Sequence, residues 1–205
     1  MAVQRSGHVN IIFHWVGMII LKALGWKAEG ERPPVPKVVV VVAPHTSYWD
    51  YPLALFFSWH YWVSGVWFGK SEIFNWPILG RLFPITGGIP VRRDHHQGLV
   101  QQIVNAFNER DNILFALTPE GTRKKVTHWK SGFYRIALEA NVPISLGFID
   151  YKRKALGFGP MFDPTGDRAK DLEFIRSFYE TVTPRHPDRV GPIRFHDDDM
   201  TKREG

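Results

Sequence analysis

From Val9 to Trp26 almost every position is apolar, while Asn10, His14, Gly17 and Gly25 return at helical spacing with Lys22 beside them. This predicts a helix with a wide apolar face and a narrow stripe of small and polar residues. The run falls short of the roughly 18 uninterrupted apolar residues of a spanning helix and shows no small-residue cleavage site. Arg5, Lys22, Lys27, Arg32 and Lys37 flank it. It is therefore expected to lie among anionic head groups at a membrane interface, with packing on its own domain as the alternative. Pro33, Pro34 and Pro36 then lead into Val38 to Ala43, a β-branched run that predicts a strand buried on both faces.

Asp50 to Trp59 reads as a helix with Pro52 in its first turn, and His60 to Phe68 resumes a strand-like pattern. Leu99, Val100, Ile103, Val104 and Phe107 share one helical face, and Asp111-Asn112 separates them from the apolar strand Ile113 to Leu117. Ser131 is placed to cap a helix that runs to Asn141, where Asn suits a left-handed ending before Pro143. Ile144 to Ile149 and Ala155 to Phe158 predict strands around a polar turn from Asp150 to Lys154. A last helix follows from about Asp167 to Val182, and beyond Pro184 the tail is expected to bury little. Strands alternating with helices predict a single α/β domain, its mainly central mixed sheet covered by helices and preceded by an N-terminal amphipathic helix. The expected organisation is an interfacial helix over 1–30, the domain over 31–183 and a tail over 184–205.

Composition narrows the chemistry. A net charge of +6 across 205 residues implies acidic partners: nucleic acid, an anionic membrane surface or a phosphorylated small molecule. The absence of cysteine excludes disulfides, thiolate nucleophiles and Cys-based zinc sites, so catalysis must use oxygen and nitrogen groups. Aromatic residues crowd between Tyr48 and Trp76, as bulky core or as rings with one dry and one wet end. The apolar run Leu53 to Trp62, with Trp67 and Phe68, is a candidate apolar groove with core packing as the alternative.

Three polar loops carry the candidate chemistry. His45 follows the valine strand and Asp50 opens the next helix, with four residues between them. Such loops gather at one edge of an α/β sheet, where ligands bind. A carboxylate bonded to one imidazole nitrogen fixes the tautomer and leaves the other nitrogen to accept a proton from a hydroxyl. A helix-capping Asp50 beside a packed His45 is the alternative. In Gly87-Gly88-Ile89-Pro90-Val91-Arg92-Arg93 an extended segment ends in two guanidinium groups, which suit phosphate, although exposed arginine pairs are also common solvated surface. They point to opposite sides of the chain, so one faces any given site. Thr118-Pro119-Glu120-Gly121-Thr122-Arg123 leaves its strand as His45 leaves its own. There Gly121 permits close backbone approach, Thr122 offers a hydroxyl and Arg123 a second anion clamp. Glu120 is placed to accept substrate hydroxyls or steady the arginines.

HTSYWD, GGIPVRR and PEGTR, in this order, resemble the motifs of the glycerolipid acyltransferases, the glycerol-3-phosphate and 1-acylglycerol-3-phosphate acyltransferases. The resemblance runs from about Val38 to Phe148, with Lys130, Gly132 and Val142-Pro143-Ile144 similar to later family positions. It implies His45 as general base and Asp50 as its orienter, and Arg93 and Arg123 as holders of the acceptor phosphate. Glu120, Gly121 and Thr122 would shape the pocket, with Arg92 and Lys130 as secondary candidates. Acyl-CoA or acyl carrier protein would be co-substrate and a lysophospholipid the acceptor, most of all 1-acylglycerol-3-phosphate, with glycerol-3-phosphate or another lysolipid as alternatives. No acyl-enzyme, metal or cofactor is expected. The implied partner is a phospholipid membrane surface rather than nucleic acid, at the cytoplasmic face of the cell membrane in a peripheral or monotopic manner. Thr118 where the family usually has Phe, Arg92 before the matching Arg93, and Leu146 where proline is common are departures, the first two bearing on acceptor identity. A metal-dependent phosphohydrolase is the rival of a different class, with His60, His95, His96 and His128 as further ligands, but no compact ligand motif supports it. A nucleic-acid-binding module would explain the charge, but the tryptophans interleave with aliphatics in the manner of a core.

Overall fold

The computed structural model describes residues 11–63, 65–77, 80–81, 84, 87–91 and 98–196. Helix α1 (Ile11–Ala23) precedes β1 (Lys27–Glu29), β2 (Lys37–Val42), α2 (Asp50–His60) and β3 (Gly65–Lys70). Then come β4 (Gly88–Val91), α3 (Leu99–Glu109), β5 (Ile113–Leu117), α4 (Gly132–Glu139), β6 (Ile144–Asp150), β7 (Ala155–Phe162) and α5 (Arg168–Tyr179). The sheet has seven strands in the order β1-β7-β6-β2-β5-β3-β4. Strands β6, β2, β5, β3 and β4 run parallel, and β7 is antiparallel to β6, so the sheet is mixed as expected.

Strand β2 is central because its valines serve both faces. Val39 and Val41 join a cluster with Ile103 and Phe107 of α3, Phe133 and Ala137 of α4, and Ile175 of α5. Val38 and Val40 point the other way, toward Leu53 and Phe57 of α2 and Leu21 of α1. Each fully buried side chain of this kind contributes about 1.5–3 kcal/mol, and together they hold a three-layer arrangement. Leu53 and Phe57 are thus core rather than groove, while the side chains of Trp67 and Phe68 lie outside the described residues. His60 closes α2 rather than opening a strand.

The orientation of α1 depends on one glycine. A Cβ on Gly17 would come within 2.4 Å of the Phe56 carbonyl oxygen, so only glycine permits α1 and α2 to approach this closely. Nearby, His14 Nδ1 lies 2.7 Å from the carbonyl oxygen of His60. The small and polar stripe of α1 therefore faces the protein, and Ile11, Ile12, Trp15 and Ile19 are left more than half exposed. No described helix is long and apolar enough to cross a membrane.

Two elements escaped the periodic pattern. The three residues of β1 form a strand only because β7 offers them a parallel edge. The segment after Pro184, expected to bury little, instead places Phe195 in the core between Phe133 and Tyr134. It is anchored by the main-chain bond from Trp129 N–H to the Arg194 carbonyl oxygen, 2.7 Å, and a parallel bridge between Trp129 and Phe195. Asn141 ends its helix with φ 51°, as its residue type suggests, whereas Ser131 precedes α4 without a side-chain capping bond.

Candidate active site

The carboxyl ends of β2, β5 and β6 lie on one edge of the sheet because these strands are parallel. The chain leaving β2 turns to α2 on one face, and the chain leaving β5 passes to α4 on the other. This divergence opens the kind of crevice in which α/β domains bind ligands.

Within it, His45 Nδ1 lies 2.9 Å from Asp50 Oδ2. An ionised carboxylate only accepts, so Nδ1 carries the proton and Nε2 is left as the basic nitrogen. The same Oδ2 accepts the main-chain N–H groups of Thr46, 3.1 Å, and Ser47, 3.0 Å. Asp50 thus ties the loop to the first turn of α2 while it orients the imidazole. Its Oδ1 accepts the phenol of Tyr151, 2.6 Å. Burial pushes the Asp50 carboxyl up, but the bonds from His45, Tyr151 and the Ser47 main chain outweigh it and hold the group below its ordinary value. Asp50 is 5% exposed and His45 15% exposed at the side chain, so the carboxylate is shielded while the imidazole keeps an opening.

The third loop joins this pair directly. Glu120 Oε1 accepts the His45 main-chain N–H at 3.0 Å. Its Oε2 is buried and meets no hydrogen-bonding group among the described residues. Burial pushes its carboxyl up to about 7, against the opposing pull of main-chain donors at Glu120 and His45. Glu120 therefore steadies the backbone of the histidine. Arg123 lies with Cζ over the ring of Tyr48, 3.8 Å from its centroid. The edges of its fork remain available for an anion. Gly121 has φ +64°, and a Cβ there would meet Lys130 Nζ at 2.9 Å, so Lys130 lies across the turn. The Lys130 main chain donates to the Pro119 carbonyl, 3.0 Å, and the Thr122 hydroxyl accepts the Lys124 N–H, 3.3 Å.

The structure thus brings His45, Asp50, Glu120 and Arg123 together, with Gly121, Thr122 and Lys130 in the same loop region. Arg92 and Arg93 lie outside the described residues, as do His95 and His96. His60 sits in the α1–α2 contact and His128 against His196. Among the described residues no group of three or more His, Cys, Asp or Glu side chains is placed to hold a metal.

Sequence reasoning missed several residues. Tyr151 falls in what reads as a polar turn, and its signal was that β6 ends on the same sheet edge as β2. The segment beyond α5 backs the histidine loop: His186 N–H donates to the Thr46 hydroxyl, 3.2 Å, and Arg189 to the Thr46 carbonyl, 3.3 Å. Tyr179 of α5 donates to the Val41 carbonyl, 2.7 Å, and the Gly147 carbonyl, 3.1 Å, which pins the end of β2.

A shielded carboxylate behind an imidazole, at the carboxyl edge of the parallel strands β2 and β5, is the arrangement that general-base chemistry requires of an α/β domain. Residues 27–145, more than half of the chain, match the Acyltransferase family, and the chain belongs to that family. It is 26% identical over 141 residues to a 1-acyl-sn-glycerol-3-phosphate acyltransferase of Limnanthes alba, covering 66% of this chain and 49% of that protein. Over 104 residues it is 31% identical to a lyso-ornithine lipid O-acyltransferase of Rhodobacter capsulatus, covering 51% of this chain and 36% of that protein. The chain spans half or less of the length of these relatives. Its fold is similar to the crystal structure of the 1-acyl-sn-glycerophosphate (LPA) acyltransferase PlsC from Thermotoga maritima. The TM-score is 0.56 at 20% identity, over 83% of this chain and 75% of the other.

Proposed function

We propose that the protein transfers a fatty acyl group from a thioester, acyl-CoA or acyl carrier protein, to a hydroxyl of a lysophospholipid, 1-acylglycerol-3-phosphate first among them. The observation that carries this reading is the 2.9 Å contact of His45 Nδ1 with Asp50 Oδ2, which leaves Nε2 as the basic nitrogen. The acceptor hydroxyl oxygen attacks the thioester carbonyl as its proton passes to Nε2. The tetrahedral adduct then expels the thiolate, which the imidazolium protonates, and Asp50 stabilises the cation between the two steps. Ser47 is buried and its hydroxyl accepts the Trp49 N–H at 3.1 Å, in keeping with direct transfer rather than an acyl-serine. Arg123, on its Tyr48 platform, would hold the acceptor phosphate together with Arg93, and Lys130 adds positive charge at the Gly121 turn.

The acceptor resides in a bilayer surface, and two features suit work there. The outward face of α1 presents Ile11, Ile12, Trp15 and Ile19, and beside His45 the rings of Tyr48, Trp49 and Tyr51 are exposed by 77%, 54% and 42%. Tyr and Trp favour the boundary between lipid and water, and the net charge of +6 suits an anionic, cytoplasmic leaflet.

The test is transfer of a radiolabelled acyl group from acyl-CoA and from acyl carrier protein to a panel of 1-acylglycerol-3-phosphate, glycerol-3-phosphate and lyso-ornithine lipid. Wild type should acylate at least one acceptor, and H45A should lose about 10²- to 10⁴-fold in kcat. Absence of transfer to every acceptor, or an H45A protein as active as wild type, overturns the reading.

A further inference from the structure

Two of the best-satisfied atoms in the site are the two oxygens of Asp50, and they are divided between different tasks. Oδ2 takes the His45 imidazole and two main-chain N–H groups, whereas Oδ1 takes the Tyr151 hydroxyl at 2.6 Å. Tyr151 stands in the turn between β6 and β7, 101 positions from Asp50. Its own backbone is fixed, since its N–H donates to the Thr183 carbonyl at 2.8 Å. Its ring is fixed too, with Trp26 edge-on at 5.0 Å and Arg185 Cζ 5.9 Å from its centroid. Burial and the Asp50 charge push the phenol well above its usual range, so it stays a neutral donor.

We infer that Tyr151 is a positioning residue of the His45–Asp50 pair, fixing the carboxylate plane and withdrawing charge from it so as to set the basicity of His45. The inference rests on the acyl-transfer reading above. The physical reason lies in the shared charge of the carboxylate. A donor on Oδ1 draws negative charge away from Oδ2, so less is left to stabilise the imidazolium. Removing the hydroxyl leaves more charge facing the ring, and the imidazole should then hold its proton to higher pH.

The test is the pH profile of kcat/KM for Y151F. The acid limb should move up by about half to one pH unit, so that activity falls several-fold near pH 6 and recovers toward wild type on the alkaline plateau. KM for the acceptor should change by less than about two-fold, because the bonds of Tyr151 go to Asp50 and Thr183. Other charged or titratable groups lie around this pair: Glu120 on the His45 main-chain N–H, with Tyr179 of α5 near it, Arg185 beside the Tyr151 ring, and Arg189 on the Thr46 carbonyl. Burial pushes the Glu120 carboxyl up to about 7, so the shift must also appear in an E120Q background.

An unmoved limb, or an equal loss at every pH, shows that Tyr151 is structural only and overturns the inference. If Y151F does not fold, 3-fluorotyrosine at position 151 keeps ring and hydroxyl with a more acidic proton, and the limb should move down instead; no movement overturns the inference. H45A separates the two claims. An active H45A, or an inactive wild type, sinks the acyl-transfer reading and this inference with it. An inactive H45A beside an unmoved Y151F limb sinks this inference alone.

Discussion

Glu120 reaches from the loop after β5 to accept the main-chain N–H of His45 at 3.0 Å, across 75 positions of sequence. The two motifs are therefore one mechanical unit, and the histidine loop is held from the front by Glu120, from below by Asp50 and from behind by His186 and Arg189.

Glu120 should leave a signature in stability. Its folded value of about 7 lies above the ordinary 4.5, so its contribution is fully present below about 4.5 and is lost as pH rises through about 7. Thermal unfolding should show wild type losing Tm across that window, and E120Q should flatten the slope. Parallel curves for the two proteins would mean that Glu120 ionises normally.

Arg123 and Tyr48 should act on binding of a phosphate-bearing acceptor. R123A should raise KM by about 10- to 100-fold with kcat little changed, because charge-assisted bonds are held in ground and transition state alike. Y48A should raise KM by about 2- to 5-fold through loss of the cation–π platform, and Y48F should not. Steady-state kinetics decide between them, and an equal loss in Y48F would point to the hydroxyl.

Gly17 governs the α1–α2 contact. G17V should destabilise the fold by about 1–3 kcal/mol, read as a lower midpoint of urea unfolding, because the added carbons meet the Phe56 carbonyl. Should the midpoint hold, the two helices are less closely engaged than described.

The outward face of α1 should bind lipid without supporting the fold. W15D/I19D removes two side chains that are 51% and 58% exposed, so Tm should change little. Partition onto anionic liposomes in a flotation assay should fall by more than about ten-fold. Unchanged flotation would assign the face another purpose.

Much of this was legible in the chain because it is local. Strand β2 announced itself through five consecutive valines, Asn141 through its tolerance of positive φ, and the His45–Asp50 pair through proximity around one turn. What was not legible is non-local. Polarity alone does not say which side of α1 packs on α2; the stripe of His14 and Gly17 does, because a missing side chain permits the close approach. Phe195 sits in a polar tail and is buried because a bridge to Trp129 carries it there.

The amino-acid order alone determined most of the strands and helices, and which imidazole and carboxylate share one turn. Periodicity and short separation are properties of the chain before it folds. Only the tertiary structure decided that Glu120, Tyr151 and the segment after α5 converge on one imidazole loop. The parallel alignment of β2, β5 and β6 places their carboxyl ends on one edge, and no pattern of hydrophobicity records which distant residues will meet there.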